Sequence, residues 1–113
     1  MQMEVHEWRD GQIKVVLAGR LDTPGVEHVE TRFVASLVPS GRHALVDLSG
    51  VEFIGSLGVR MFISVARSLK LKQAQLVLMA PQAQVREVFD HVSLGELIPV
   101  CVDEAEAVSA LTA

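Results

Sequence analysis

The segment FIGSLGVRMF, residues 53–62, contains a hydroxyl group whose surroundings could give it a chemical role. Ser56 lies between Gly55 and Gly58, where an apolar loop passes into a helical pattern. A serine at such a position can cap a helix, act as a nucleophile, or accept a phosphate. The rest of the chain has to distinguish these three roles.

Motifs typical of catalytic or cofactor sites do not account for Ser56. The segment GVEFIGSLG has the glycine spacing of a phosphate-binding loop, but it lacks the lysine that would reach a phosphate. A hydrolase elbow, G-x-S-x-G, would need a glycine in place of Ile54. The four histidines are not spaced as metal ligands, and no motif pairs two carboxylates for acid–base catalysis. We therefore expect no enzyme activity, no metal site and no cofactor.

Two roles for Ser56 remain after this elimination. Its oxygen could accept a hydrogen bond from a backbone N–H of the following helix, which would make Ser56 an N-cap. Alternatively, Ser56 could carry a phosphate, because a helix N-terminus after a parallel strand favours an anion. We favour the cap and keep the phosphosite as the alternative.

Composition excludes several classes of partner. The net charge is −4, only 4% of residues are aromatic, and the ten Lys and Arg form no sequence cluster. These values argue against nucleic acid and against an anionic membrane surface as binding partners. Neither a membrane-spanning run nor a signal peptide is recognisable, so we expect a cytoplasmic protein. The single cysteine, Cys101 in LIPVCV, predicts a buried free thiol.

The elements that position Ser56 alternate between strands and helices. MEVHEW and QIKVVLAG predict antiparallel strands joined by a tight Asp-Gly turn. Ala44–Leu48, AQLVLMA and LIPVCV predict three further strands, and the proline places the last of them at or near an edge. Alternation with helices predicts one α/β domain over residues 1–113, with a mixed, mostly parallel sheet of about five strands and four helices.

Each predicted helix carries an apolar stripe. The first is capped by Thr23, and the second begins at Ser56. The third is opened by Pro81, and the last has a capping-box-like start at Asp103 and Glu106. The residues expected to face the core are, in helix order, Val26, Val29, Phe33 and Leu37; Gly58, Phe62, Val65, Ala66 and Leu69; Val85, Val88, Phe89 and Val92; and Val108 and Leu111.

Three segments in this order resemble the STAS domain family of bacterial anti-sigma-factor antagonists. LAGRLDTPGVEHVE resembles the family's Gly-x-Leu-Asp entry into its first helix. VDLSGVEFIGSLGVRMFI resembles its Asp-Ser-Ser-Gly loop and second helix, and APQAQVREVFDHVSLGELIPV resembles its third helix and the next strand. Together they cover nearly the whole chain, which implies a STAS-like fold with an N-terminal hairpin.

The resemblance also implies a function in partner switching. Such an antagonist binds an anti-sigma factor, usually a serine kinase, and thereby frees a sigma factor. The kinase phosphorylates a serine in the loop, and the complex separates. The contact surface would be the loop from Gly50 to Gly58 and the exposed face of the next helix. The partner-binding residues implied here are Asp22, Thr23, Gly55, Ser56, Leu57, Gly58, Arg60 and Arg67.

The sequence departs from the family pattern at the loop. Gly55 replaces the aspartate and Leu57 replaces the second serine, which is the residue that the family usually phosphorylates. Ser56, which matches the first serine of the family's loop, is therefore kept as a possible phosphosite, and we favour a complex that phosphate does not control. Alternatives are a subunit of a membrane transport system, without membrane insertion of its own, and a module that senses a small molecule. A homodimer through an edge strand also remains open.

Overall fold

The computed structural model describes residues 1–112, and of Thr112 only the backbone. Within these residues the chain forms five strands and four α-helices. In chain order they are β1 (Gln2–Glu7), β2 (Ile13–Leu21), α1 (Thr23–Leu37), β3 (Ala44–Ile54), α2 (Ser56–Leu71), β4 (Leu76–Met79), α3 (Ala83–His91), β5 (Val100–Cys101) and α4 (Glu104–Thr112). Short 3-10 turns lie at Arg9–Gly11 and Leu94–Glu96.

The strands form one sheet in the order β1-β2-β3-β4-β5. β1 and β2 are antiparallel, and every other neighbouring pair is parallel. Each parallel connection steps to the next strand in the same direction, so right-handed crossovers place α1, α2 and α3 on one face of the sheet. The predicted α/β class, the N-terminal hairpin and the position of LIPVCV at an edge are confirmed.

The main core lies between the sheet and α1, α2 and α3. Alternate residues of β2 point into it, and they meet the predicted stripe of α1, all four members of which are buried. Phe33 of α1 and Phe62 of α2 are both fully buried, with ring centroids 5.7 Å apart and planes tilted by 60°. This aromatic pair joins the two helices that carry the candidate site.

The opposite face of the sheet carries a smaller core under α4. Leu45, Val77, Met79 and Cys101 lie there, covered by Ala107 and Leu111. Cys101 is buried as expected, and burial raises the pKa of its thiol, with a further increase from the charges of Glu106 and Asp103. A buried thiol whose pKa is raised has little nucleophilic thiolate at neutral pH.

Some sequence predictions about the connections are wrong in detail. Arg9–Gly11 replaces the tight two-residue turn, and Asp10 and Gly11 both have positive φ, at 53° and 74°. The third helix begins at Ala83 rather than Pro81 and ends before Val92, which is 49% exposed instead of buried. In α4 Leu111 is buried as predicted, but the other buried position is Ala107, while Val108 is half-buried.

No helix among residues 1–112 combines the length and the apolar character that crossing a bilayer requires.

Candidate functional site

The carboxyl ends of β2 and β3 meet at one edge of the sheet. Leu21 pairs with Ile54 at the last position of both strands. The backbone N–H of Gly55 then donates a hydrogen bond to the carbonyl oxygen of Leu21, at 3.0 Å. Since α1 begins at Thr23 and α2 begins at Ser56, this pairing sets the N-termini of two helices side by side.

Asp22 caps α1. Its carboxylate accepts a hydrogen bond from the backbone N–H of Gly25 at 2.9 Å, so the prediction that Thr23 is the cap is wrong. The bond from Gly25 is the main cause of the lowered pKa of Asp22. Partial burial of the carboxylate acts in the opposite direction and raises the pKa. Arg20, whose Nε lies 3.5 Å from Oδ2, lowers the pKa further. Asp22 is therefore held as a carboxylate at the start of the helix.

The N-cap of α2 is Gly55, and Ser56 is the first residue of the helix. The predicted capping role of Ser56 is therefore wrong, and its side chain is exposed. Much of the predicted loop from Gly50 to Gly58 is also strand, because β3 continues to Ile54. Phosphorylation of Ser56 stays a prediction.

Glycines allow both helices to pack closely against the strand ends. A Cβ atom on Gly25 would lie 1.9 Å from the backbone carbonyl oxygen of Arg20. A Cβ atom on Gly58 would lie 2.8 Å from Cγ1 of Ile54 and 3.2 Å from Cβ of Leu21. Both positions therefore lack space for a larger residue, and Gly58, which is buried, serves the packing of α2.

Arg20 and Phe53 form a contact that the sequence interpretation missed. The two residues are paired across β2 and β3, and the guanidinium carbon of Arg20 lies 4.5 Å from the centroid of the Phe53 ring. Each residue lies two positions before a helix cap, Asp22 or Gly55. The sequence could have indicated this contact, because both residues lie two positions before a helix cap on strands that were predicted to be parallel.

The predicted site residues do not all lie together. Asp22 and Thr23 lie at the start of α1, beside the segment from Gly55 to Gly58. Arg60 is exposed one turn into α2. Arg67 is also exposed, but it lies eleven residues after Ser56, or about 16 Å along the helix axis.

This edge of the sheet presents apolar and charged groups together. Phe53 is 38% exposed and Leu57 is 37% exposed, next to the ion pair between Arg20 and Asp22. Within residues 1–112, no three His, Cys, Asp or Glu side chains are grouped in a way that could hold a metal ion. Exposed aromatic side chains and arginines are enriched at protein interfaces, and Leu57 adds apolar area beside them.

Known proteins match this chain over almost its whole length. The STAS domain model matches residues 5–107. BtrV of Bordetella bronchiseptica, whose name gives it as a candidate anti-sigma factor antagonist, is 30% identical over 101 residues, which are 89% of this chain and 87% of BtrV.

Two solved structures show the same fold. An anti-sigma factor antagonist from Mycobacterium paratuberculosis has a TM-score of 0.86 at 22% identity, with 99% of this chain and 94% of that chain covered. The phosphorylated form of the Bacillus cell fate determinant SpoIIAA has a TM-score of 0.70 at 20% identity, with 96% and 98% covered. With the family model matching most of its length, this chain belongs to the STAS domain family.

Proposed function

We propose that this protein is an anti-sigma factor antagonist. It binds an anti-sigma factor of the serine-kinase type, in the cytoplasm, and so frees a sigma factor. The observation that carries this proposal is the 30% identity to BtrV over 89% of the chain. The protein acts by binding and needs no cofactor.

The proposed contact surface is the edge where α1 and α2 begin. Phe53 and Leu57 supply apolar area there, and Arg20 and Asp22 supply fixed charges beside it. Arg20 is restrained by both Phe53 and Asp22, so less side-chain entropy is lost when a partner binds. These features favour a recognition surface for another protein.

The test is binding to the anti-sigma factor of the source organism, measured by surface plasmon resonance with purified proteins. We expect Leu57→Asp to weaken the complex by about tenfold or more, because it places a charge in the desolvated centre of the interface. Val34→Asp is the matched control, since Val34 is also 37% exposed but lies near the other end of α1. It should bind like the wild type.

Two results would contradict the proposal. One is the absence of measurable binding by the wild-type protein. The other is equal affinity of the Leu57→Asp, Val34→Asp and wild-type proteins, which would move the contact away from this edge. Specific binding to a transporter component, and not to the anti-sigma factor, would favour the alternative of a transport subunit.

A further inference from the structure

The charges of this acidic protein are distributed unevenly. Residues 53–86 contain five of the ten Lys and Arg and none of the fourteen Asp and Glu. This region includes all of α2. The sequence interpretation, which found no basic cluster, overlooked the absence of acids over these 34 positions.

A stripe of exposed residues runs along the full length of α2. Its members follow at spacings of three, four, three and four, which places them on one side of a helix. We call it the outer stripe; it consists of Leu57, Arg60, Ser64, Arg67 and Leu71. Leu57 is 37% exposed and Leu71 is 89% exposed, so an apolar side chain lies at each end with two arginines between.

The arginines of the outer stripe form no ion pair with an acidic residue in the described part of the chain. The ion pairs formed within residues 1–112 involve neither Arg60 nor Arg67. Lys70, on the adjacent flank of α2, forms none there either. An isolated surface pair would contribute little to stability, but uncompensated charges on one helix produce a field that attracts an opposite charge.

An apolar hollow adjoins the carboxyl half of the stripe. It has a volume of about 160 Å³ and is lined by Ile63, Ala66, Arg67, Lys70, Leu97 and Ile98. Leu97 is 58% exposed at its rim. The two basic side chains therefore border a place where an apolar side chain of a partner could be buried.

We infer that the anti-sigma factor binds along the outer stripe through an acidic surface, with Asp or Glu side chains facing Arg60 and Arg67. This inference rests on the proposed function and extends the contact from the Ser56 end to the whole of α2. Charge complementarity identifies the partner surface as acidic, because Arg60 and Arg67 are exposed and no ion pair among residues 1–112 involves them. On a protein whose net charge is −4, this basic stripe is a place where an acidic surface can approach, and it fixes the orientation of approach.

The experiment measures association rates with the purified anti-sigma factor at 50 and 300 mM NaCl, for the wild type, Arg60→Glu and Arg67→Glu. We expect the wild-type rate to fall with salt, and each variant to associate about tenfold more slowly at 50 mM. Arg9→Glu is the matched control. It changes the net charge equally, but Arg9 lies beside α4, on the other face of the sheet.

The outcomes separate this inference from the proposed function. If the wild type does not bind the anti-sigma factor, both fail. If it binds, but Arg60→Glu and Arg67→Glu associate at the wild-type rate or no more slowly than Arg9→Glu, the acidic contact along α2 is refuted and the proposed function remains. Sedimentation with phosphatidylglycerol vesicles that is lost in Arg67→Glu, with unchanged anti-sigma factor binding, would identify a membrane as the occupant instead.

Discussion

Asp22 combines a structural role with a place on the proposed binding surface. The folded state holds its pKa below the usual value, chiefly through the bond from Gly25. The resulting contribution to stability is therefore fully present above the unfolded pKa of about 3.9 and is lost as the pH falls through the lower folded value.

We expect Asp22→Asn to lower Tm at pH 7, since asparagine can cap the helix but carries no charge for the helix dipole or Arg20. The difference from the wild type should shrink as the pH falls below about 4. Thermal unfolding from pH 7 to pH 2 measures it, with Asp90→Asn, an exposed position on α3, as the control. A difference that stays constant over this range would contradict the linkage.

The side chains of Ser56 and Leu57 point in different directions although the two residues are adjacent. Successive residues of an α-helix are rotated by about 100° around its axis. A kinase that acts at the position of Leu57 would therefore meet a leucine side chain, while the Ser56 hydroxyl points in another direction. We accordingly expect a complex that phosphate does not control.

Incubation with the anti-sigma factor and ATP, followed by intact-mass spectrometry, tests this expectation. The wild type should gain no phosphate, whereas Leu57→Ser should gain one, because the variant restores a hydroxyl where the family keeps it. Ser56→Ala in the Leu57→Ser background should leave that phosphate in place. Stoichiometric phosphorylation of the wild type that disappears in Ser56→Ala would make Ser56 the phosphosite.

At the scale of elements, the two buried aromatic positions of α2 and α3 should dominate stability. Phe62 and Phe89 are at most 1% exposed. We expect Phe62→Ala and Phe89→Ala each to lower the free energy of unfolding by about 3–5 kcal/mol, since each leaves a cavity in the main core. Urea denaturation measures the change. Leu71→Ala, at 89% exposure on α2, should change it little.

Periodicity located the helices well but not their first residues. The stripe of Val26, Val29, Phe33 and Leu37 was predictable because burial on one side of a helix imposes its spacing on the sequence. Asp22 and Thr23 are both good capping residues, so composition alone could not choose between them. The choice depends on which oxygen reaches the Gly25 N–H.

The length of β3 was not predictable from local pattern either. Residues 50–54 pair only with the end of β2, whereas β4 pairs with Ala44–Asp47. Their strand conformation is thus fixed by a partner far away in the sequence. For the same reason the contact between Arg20 and Phe53 becomes visible only once the register of β2 and β3 is known.

At the scale of the whole molecule, the topology explains why the predicted architecture was correct while the site was only partly found. Alternation of strands and helices determines which strands are parallel, and it locates the edge at which loops gather. This alternation does not show how charged side chains are distributed over the surface of the folded protein. The absence of acids in residues 53–86 matters only because α2 displays Arg60 and Arg67 on one exposed side.

The strands occupy the sheet in the order in which they occur along the chain. During synthesis, each new strand can therefore pair with one that has already left the ribosome, and no position has to be held open for a later segment. Each parallel pairing closes a crossover that contains one α-helix and joins neighbouring strands, so no pairing requires the closure of a longer loop around an intervening strand. Asp22 and Ser56 lie at the starts of α1 and α2, and α2 ends at Leu71, before β4 begins. The proposed binding edge can therefore form before β4 and β5 complete the sheet.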